Sequence, residues 1–459
     1  MAIIQEIWEE FEAQLAQVDL LEMGYEAGIE QYKTLCDRFI LDSIKAQLEA
    51  YDTILMEESS LRRDWVCVRK APRTLQTKHG TLMYTRRYYR HRASGDHSHL
   101  LDHLVGLNPY KRVDPALRLN LAQLGSEMSY RKSASLACEG AVSHQTVMTC
   151  LRDLKIPEIP AIERKEEVPV IHIQADEDHI SLQSREPGQK RRGIVKLAAL
   201  HDPVQVKGNR RYIPAKYVMT DGEGEANEVF WERVYEQLIA RYGDLGDRPV
   251  YIHGDGAPWI KKGEEIIPNS HHVLDRFHLE KALRSACPKY KAPARWRRLH
   301  RFLDQSELEK LALEVWSCGQ EGICSRETAM DTIHYLVNNW EGIEIANDPE
   351  HATGGSCAEG LVGHILSARL STHAMSWSRR GAVKMAALRA FLVNGGELTS
   401  DLFEEPRKQN TTAIPKPSVN LRDYRFCGSP TTAPWTNKRG TPLYRLQKAI
   451  TDGGLGRVH

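Results

Sequence analysis

No stretch of about 18 apolar residues, the length a membrane-spanning helix needs, occurs anywhere in the 459-residue sequence. The opening MAIIQEIWEEFEAQ puts acids where a signal peptide needs a basic and then an apolar stretch, so a cytoplasmic location with no membrane partner is expected. Cysteine is not patterned: the nine residues are odd in number, scattered, and never spaced as CxxC, which argues against a disulfide framework and against a zinc site. Charge of one sign is also lacking, with 62 Lys+Arg against 61 Asp+Glu. With 41% apolar residues the chain has enough to bury cores, which excludes a disordered or collagenous protein; its length suits two to four domains at about 100 to 200 residues each.

The balanced total hides segregation along the chain. Residues 1–60 hold 14 acids and three bases, whereas 61–92 hold ten Lys/Arg and the single acid Asp64. A second basic stretch, 281–303, has eight Lys/Arg and no acid. One such tract is often just a solvated face; two of them favour a polyanion partner.

Apolar residues recur at helical spacing from Ile4 to about Met56 without proline, which predicts one or two long helices. From Trp65 the pattern becomes short and alternating, and His79-Gly80 suits a hairpin turn in RTLQTKHGTLMYTRRYYR. There tyrosines interleave with arginines, so Arg73, Arg86, Arg87 and Arg90 are candidate phosphate contacts. The stretch SYRKSASLACEGAVSHQTVMTCLRDL resembles a helix-turn-helix, with Gly140 in the turn and His144 and Gln145 opening a helix that would face a groove. KIPEIPAIERKEEVP then reads as a linker.

Beyond the linker, VPVIHIQADEDHISLQ, VKLAALHD and RRYIPAKYVMTDGEG predict three strands in meander order, with acids in the first; this is how a ribonuclease-H-like sheet begins. After the helical ANEVFWERVYEQLIARYG, the strand in RPVYIHGDGAPWI ends on Asp255 between Gly254 and Gly256. Strand-end carboxylates on adjacent strands form half of a magnesium site. A third carboxylate on a helix completes such a site, and spacing alone leaves Glu280, Glu327, Glu341, Glu344, Glu359 and Glu397 open.

HGDGAPWI, HHVLDRFHLEK, NNWEGI and GGSCAEGLVGHILSARLSTHAMSWSRRG, with the upstream segments quoted above, together resemble the ISLre family of bacterial insertion-sequence transposases over about residues 61–397. The resemblance implies a DDE transposase related to mutator-type transposases. Its fold would be multidomain α/β: a ribonuclease-H-like core with an all-helical insertion, preceded by a helical and small β DNA-binding region. Matched residue by residue, the catalytic and metal-holding acids fall on Asp176, Asp255 and Glu359, separated by 79 and 104 residues. Asp178 is the rival of Asp176, because strand alternation puts both on one face. Asp275 and His278 match an Asp-x-x-His pattern and are expected to support the site. Two Mg²⁺ or Mn²⁺ ions are the implied cofactors.

The implied partners are DNA, as terminal inverted repeats and target, and further copies of the chain, at least a dimer, for which the helical start 1–60 is a candidate oligomer interface. Lys289, Arg295, Arg297 and Arg298 in the insertion are further expected DNA contacts. The expected division is 1–60 helical, 61–155 DNA-binding, 156–280 the first part of the core, 281–350 insertion, 351–402 the rest of the core, and 403–459 a loosely ordered tail. The rival readings are a catalytically inactive or domesticated DNA-binding protein and a ribonuclease-H-like nuclease that cuts without joining.

Overall fold

The computed structural model of the chain describes residues 2–403 apart from 59–61, 63, 160–167, 184–191, 209, 214–215, 349–350 and 352–353. Part of the expected linker and the expected tail from 404 on lie outside the described residues. The chain forms two compact units of mixed α and β structure. Among the described residues one comprises those up to Leu121 with Arg131–His144, the other Ala122–Tyr130 and Gln145–Phe403. Among the described residues no helix is long and apolar enough to cross a membrane.

In the first unit, strands β1 (Trp65–Thr77) and β2 (Gly80–His91) pair antiparallel, turning tightly where Thr77 meets Gly80, and the short β3 (His97–Ser98) adds to β2. The hairpin buries Trp65, Leu75, Leu82, Tyr84 and Tyr89 against Leu48 and Leu55 of the long helix Tyr25–Glu57. The helical start is therefore not a separate domain from 61 on, because its apolar stripe has the hairpin as its partner. The opposite charges of the two segments meet as well. Asp52 pairs with Arg87 at 2.6 Å, Asp37 with His79 at 2.6 Å, and Glu49 accepts the Thr85 N–H. The acid-to-base swing along the chain thus serves, in part, the interior of one unit.

In the second unit a five-stranded sheet has the order β10-β9-β4-β5-β8, built from Ile171–Ser181 (β4), Arg192–His201 (β5), Tyr217–Thr220 (β8), Val250–Gly254 (β9) and Ser270–Leu274 (β10). The intervening β6 (Gln205–Lys207) and β7 (Arg210–Tyr212) make a separate small hairpin. Counting only the sheet strands, the order is 3-2-1-4-5; the second strand is antiparallel to the first, and the fourth and fifth are parallel to it. One face is apolar: Ile171, Ile173, Ala175, Leu200 and Ile252 pack under helices Asn227–Tyr242 and Pro258–Ile266, with Phe230, Trp231 and Trp259 in the same core. Because side chains alternate along a strand, the residues between them on β4, namely His172, Gln174, Asp176 and Asp178, share the other face.

Five helices, Arg276–Ala286, Pro293–Asp304, Leu308–Gln320, Arg326–Asn338 and Trp340–Asn347, follow β10 around a core of Leu279, Leu283, Leu299, Leu311, Val315 and Leu336. Every described element between β10 and residue 358 is helical. Gly342 lets the last of these helices lie on β10, since a Cβ there would meet the His272 carbonyl oxygen at 2.9 Å.

Candidate metal centre

The centre starts from β4, the middle strand. Asp176 is almost fully buried; its Oδ1 accepts the N–H of Glu177 at 2.8 Å, and its Oδ2 is buried with no hydrogen-bond partner. Such an orphaned carboxylate oxygen is costly unless something charged meets it. Burial above all, with a smaller push from the negative charges of Asp255 and Glu359 and against the pull of the Glu177 N–H and His278, brings the Asp176 carboxyl up to about 6.

Two groups come near this carboxyl. Asp275 ends β10 and caps helix Arg276–Ala286 by accepting the Phe277 N–H at 2.8 Å, which places His278 in the first turn. Glu359 is the second residue of the short helix Ala358–Val362. Its Oε2 lies 3.8 Å from His278 Nε2, a nitrogen buried without a hydrogen-bond partner. Asp176, His278 and Glu359 each offer a ligand atom, and these atoms lie within 4.8 Å of one another. A buried carboxyl with one unpartnered oxygen, an imidazole with an unpartnered nitrogen and an exposed carboxylate, meeting in this way, fit a divalent cation.

Asp255 stands outside that group of three but beside it. In the parallel pairing of β4 with β9, Gln174 is opposite His253, so Asp176 and Asp255 each come two residues further along neighbouring strands. The flanking glycines serve close packing: a Cβ on Gly254 would meet the Ala175 carbonyl oxygen at 2.8 Å, and one on Gly256, whose φ is +86°, would overlap the side-chain amide of Asn339. Tyr335 donates to the Asp255 carbonyl oxygen at 3.0 Å, so the helices after β10 help to shape this loop.

Asp178 has a different job from Asp176. Its Oδ1 accepts the hydroxyls of Ser367 at 2.9 Å and Ser371 at 2.7 Å, so it is tied to the helical segment after Glu359. Asp275 supports through its cap and through the Ser356 hydroxyl, 3.0 Å away. His278 sits closer to the centre than a supporting role requires. Motif spacing showed the Asp-x-x-His pair; that the nitrogen reaches Glu359 depends on β10 lying next to β9, which the spacing does not show.

The expected DNA-contacting arginines divide sharply. Arg73 and Arg86 turn inward onto the buried Asp102, at 2.5 and 2.8 Å, and Arg87 onto Asp52, so these three are spent on the interior. Their strands carry them there because a buried carboxylate must be paired. Arg90 is exposed. Helices Tyr130–Cys138 and His144–Asp153 flank a left-handed turn at Glu139 and Gly140, with His144 and Gln145 exposed and Val147 and Leu151 buried. In the helices after β10, Arg298 and Arg295 pair with Glu314 at 2.6 and 3.3 Å, and Arg295 also with Glu321. Lys289 and Arg297 stay exposed and, with Arg301 and His300, line an open cavity of about 570 Å³ floored by Trp296.

A family profile described as an uncharacterised protein family, UPF0236, matches residues 22–407. Three similar proteins come from Caldanaerobacter subterraneus subsp. tengcongensis, each named a UPF0236 protein. The first carries eleven locus labels in its name and is 34% identical over 401 residues, covering 86% of this chain and 83% of the relative. The second, with four labels, is 34% identical over the same shares. The third, with two labels, is 34% identical over 86% of this chain and 79% of the relative.

Proposed function

The chain belongs to the uncharacterised protein family UPF0236, and from that premise we propose that it is a DDE transposase of a bacterial insertion sequence, of the ISLre type that its motifs resemble. The observation that carries the proposal is the meeting of Asp176, His278 and Glu359, with Asp255 at the end of the adjoining parallel strand. Three things support it further. The 3-2-1-4-5 sheet order, with its second strand antiparallel, agrees with the ribonuclease-H-like core that the resemblance implies. The helices between β10 and Glu359 stand where the resemblance implies an insertion. A relative named from eleven loci of one organism is what a mobile element leaves behind.

On this reading Asp176, Asp255 and Glu359, joined by His278, would hold two Mg²⁺ or Mn²⁺ ions. When bound, the ions stabilise the attacking and leaving oxygens of phosphoryl transfer. With its carboxyl raised to about 6, Asp176 is largely ionised at neutral pH and would offer a carboxylate to a cation there. Lys289, Arg297 and Arg301 screen DNA phosphates from the insertion. Two element ends must be brought together before joining, so the working form is at least a dimer.

The test is incubation of the purified protein with DNA carrying the element's own ends, in Mg²⁺ or in chelator. The proposal expects metal-dependent cutting at the repeat boundary that is lost in Asp255→Asn and Glu359→Gln while repeat binding persists. Binding without any cutting by the wild type favours the DNA-binding reading and overturns this one.

A further inference from the structure

Three successive same-face residues of β4 reach toward the segment that carries Glu359, and each does something different. Asp176 faces the centre. Gln174, two residues before it, accepts the Cys357 N–H at 3.0 Å and lies 3.1 Å from the Ser356 hydroxyl, just ahead of Glu359. Asp178, two residues after it, accepts the hydroxyls of Ser367 and Ser371, just beyond Glu359. The segment is thus gripped on both sides of the glutamate by the strand that also supplies the facing aspartate.

The grip at Gln174 has a defined direction. His201 Nδ1 lies 2.6 Å from the Asp202 carbonyl oxygen, an acceptor, so that nitrogen carries the hydrogen. His201 is buried, and burial holds its imidazole below the usual range, hence neutral. Its Nε2 is then an acceptor, and it is 2.9 Å from Gln174 Nε2. The Gln174 amide must donate to His201, which turns its oxygen toward the loop. At the other grip, the chain between Glu359 and Asp178's serines passes through a π-helical turn, Gly363–Ser367. Such turns re-aim a helix face and recur at functional sites.

We propose that Gln174 and Asp178 are positioning residues that hold the Glu359 segment from either side and so set Glu359 against Asp176. The proposal rests on the metal-centre reading. The hydrogen bonds act on the loop and the helix that carry Glu359, so their main effect on metal binding runs through that glutamate.

The experiment is a calorimetric titration of the full chain with Mn²⁺, comparing Ser367→Ala with Ser371→Ala combined, and separately Gln174→Leu, each in wild-type and Glu359→Gln backgrounds. In the wild-type background each is expected to weaken Mn²⁺ binding about tenfold, the size typical of outer support to a metal ligand. In the Glu359→Gln background neither should weaken it further, because the ligand they position is gone. Amide exchange over 358–371 in metal-free protein should quicken in the serine variant, and Ser371→Thr, which keeps a hydroxyl, should restore tight binding. Equal losses in both backgrounds, or no loss in either, overturn the proposal. Failure of the wild type to bind Mn²⁺ at all overturns the metal-centre reading, and the proposal with it.

Discussion

Replacing Asp176 by Asn should make the metal-free protein more stable, although it removes a central residue of the candidate site. The structure buries this carboxyl with one oxygen unpartnered and raises it from 3.8 to about 6. A shift of about two units corresponds to about 3 kcal/mol at 1.36 kcal/mol per unit. Partial solvent screening at a strand end reduces this to about 2 kcal/mol. The sign follows from the raised value: folding favours the protonated acid, so the penalty is absent below the unfolded value near 3.8, develops as pH rises through about 6, and is complete above it. Asn keeps the shape and still accepts the Glu177 N–H, but has no charge to desolvate. Thermal unfolding in chelator at pH 8 should therefore show Asp176→Asn melting about 4 to 8 °C above the wild type, using about 2 to 4 °C per kcal/mol for a unit of this size. At pH 4.5 the difference should shrink by more than half. Added Mn²⁺ should reverse the order, raising the wild type alone. An Asn variant less stable than the wild type at pH 8 in chelator would refute the reasoning, because it would mean the ionised carboxylate is already satisfied in the fold.

Three further outcomes follow from named contacts. Arg73→Ala leaves the buried Asp102 short of its 2.5 Å partner and should cost about 3 kcal/mol in urea unfolding; a cost below about 1 kcal/mol would show the pair to be solvated. Gly256→Ala forces a side chain into a left-handed backbone and into Asn339, and should cost about 1 to 3 kcal/mol while weakening Mn²⁺ binding through the displaced Asp255; unchanged melting and metal binding would contradict the crowding. Arg297→Ala and Arg301→Ala should each lower the salt slope of DNA binding by about one, measured by fluorescence anisotropy. Arg298→Ala, whose guanidinium already serves Glu314, should leave the slope unchanged; equal slopes for all three would mean that the pairing does not select the phosphate contacts.

The parts that read well from sequence are those governed by local pattern. Ile171, Ile173 and Ala175 alternate with Gln174 and Asp176, so the strand, its buried face and its acidic face all follow from period two. The hairpin announces itself at His79-Gly80, and helix Asn227–Tyr242 by Phe230, Trp231, Val234 and Leu238. What fails is what depends on distant partners. Nothing in RRYYR says that Arg86 and Arg87 point at Asp102 and Asp52 rather than at a phosphate, because those acids lie on other elements. HHVL hides strand β10 among motif residues, since a five-residue parallel strand has no turn of its own to mark it. With β10 unplaced, His278 cannot be brought to Glu359. Asp178 looks equivalent to Asp176 until Ser367 and Ser371, almost two hundred residues away, take its oxygen.

The most direct test of the central claim is strand transfer: a pre-cleaved terminal-repeat DNA with a labelled 3′ end, an unlabelled target duplex and Mg²⁺ or Mn²⁺, with the wild type beside Asp176→Asn, Asp255→Asn and Glu359→Gln. The account predicts label joined covalently to the target by the wild type and by none of the three variants, each still binding the repeat. Joining that survives Glu359→Gln or Asp176→Asn would contradict it, because the chemistry would then be running from some other group of residues.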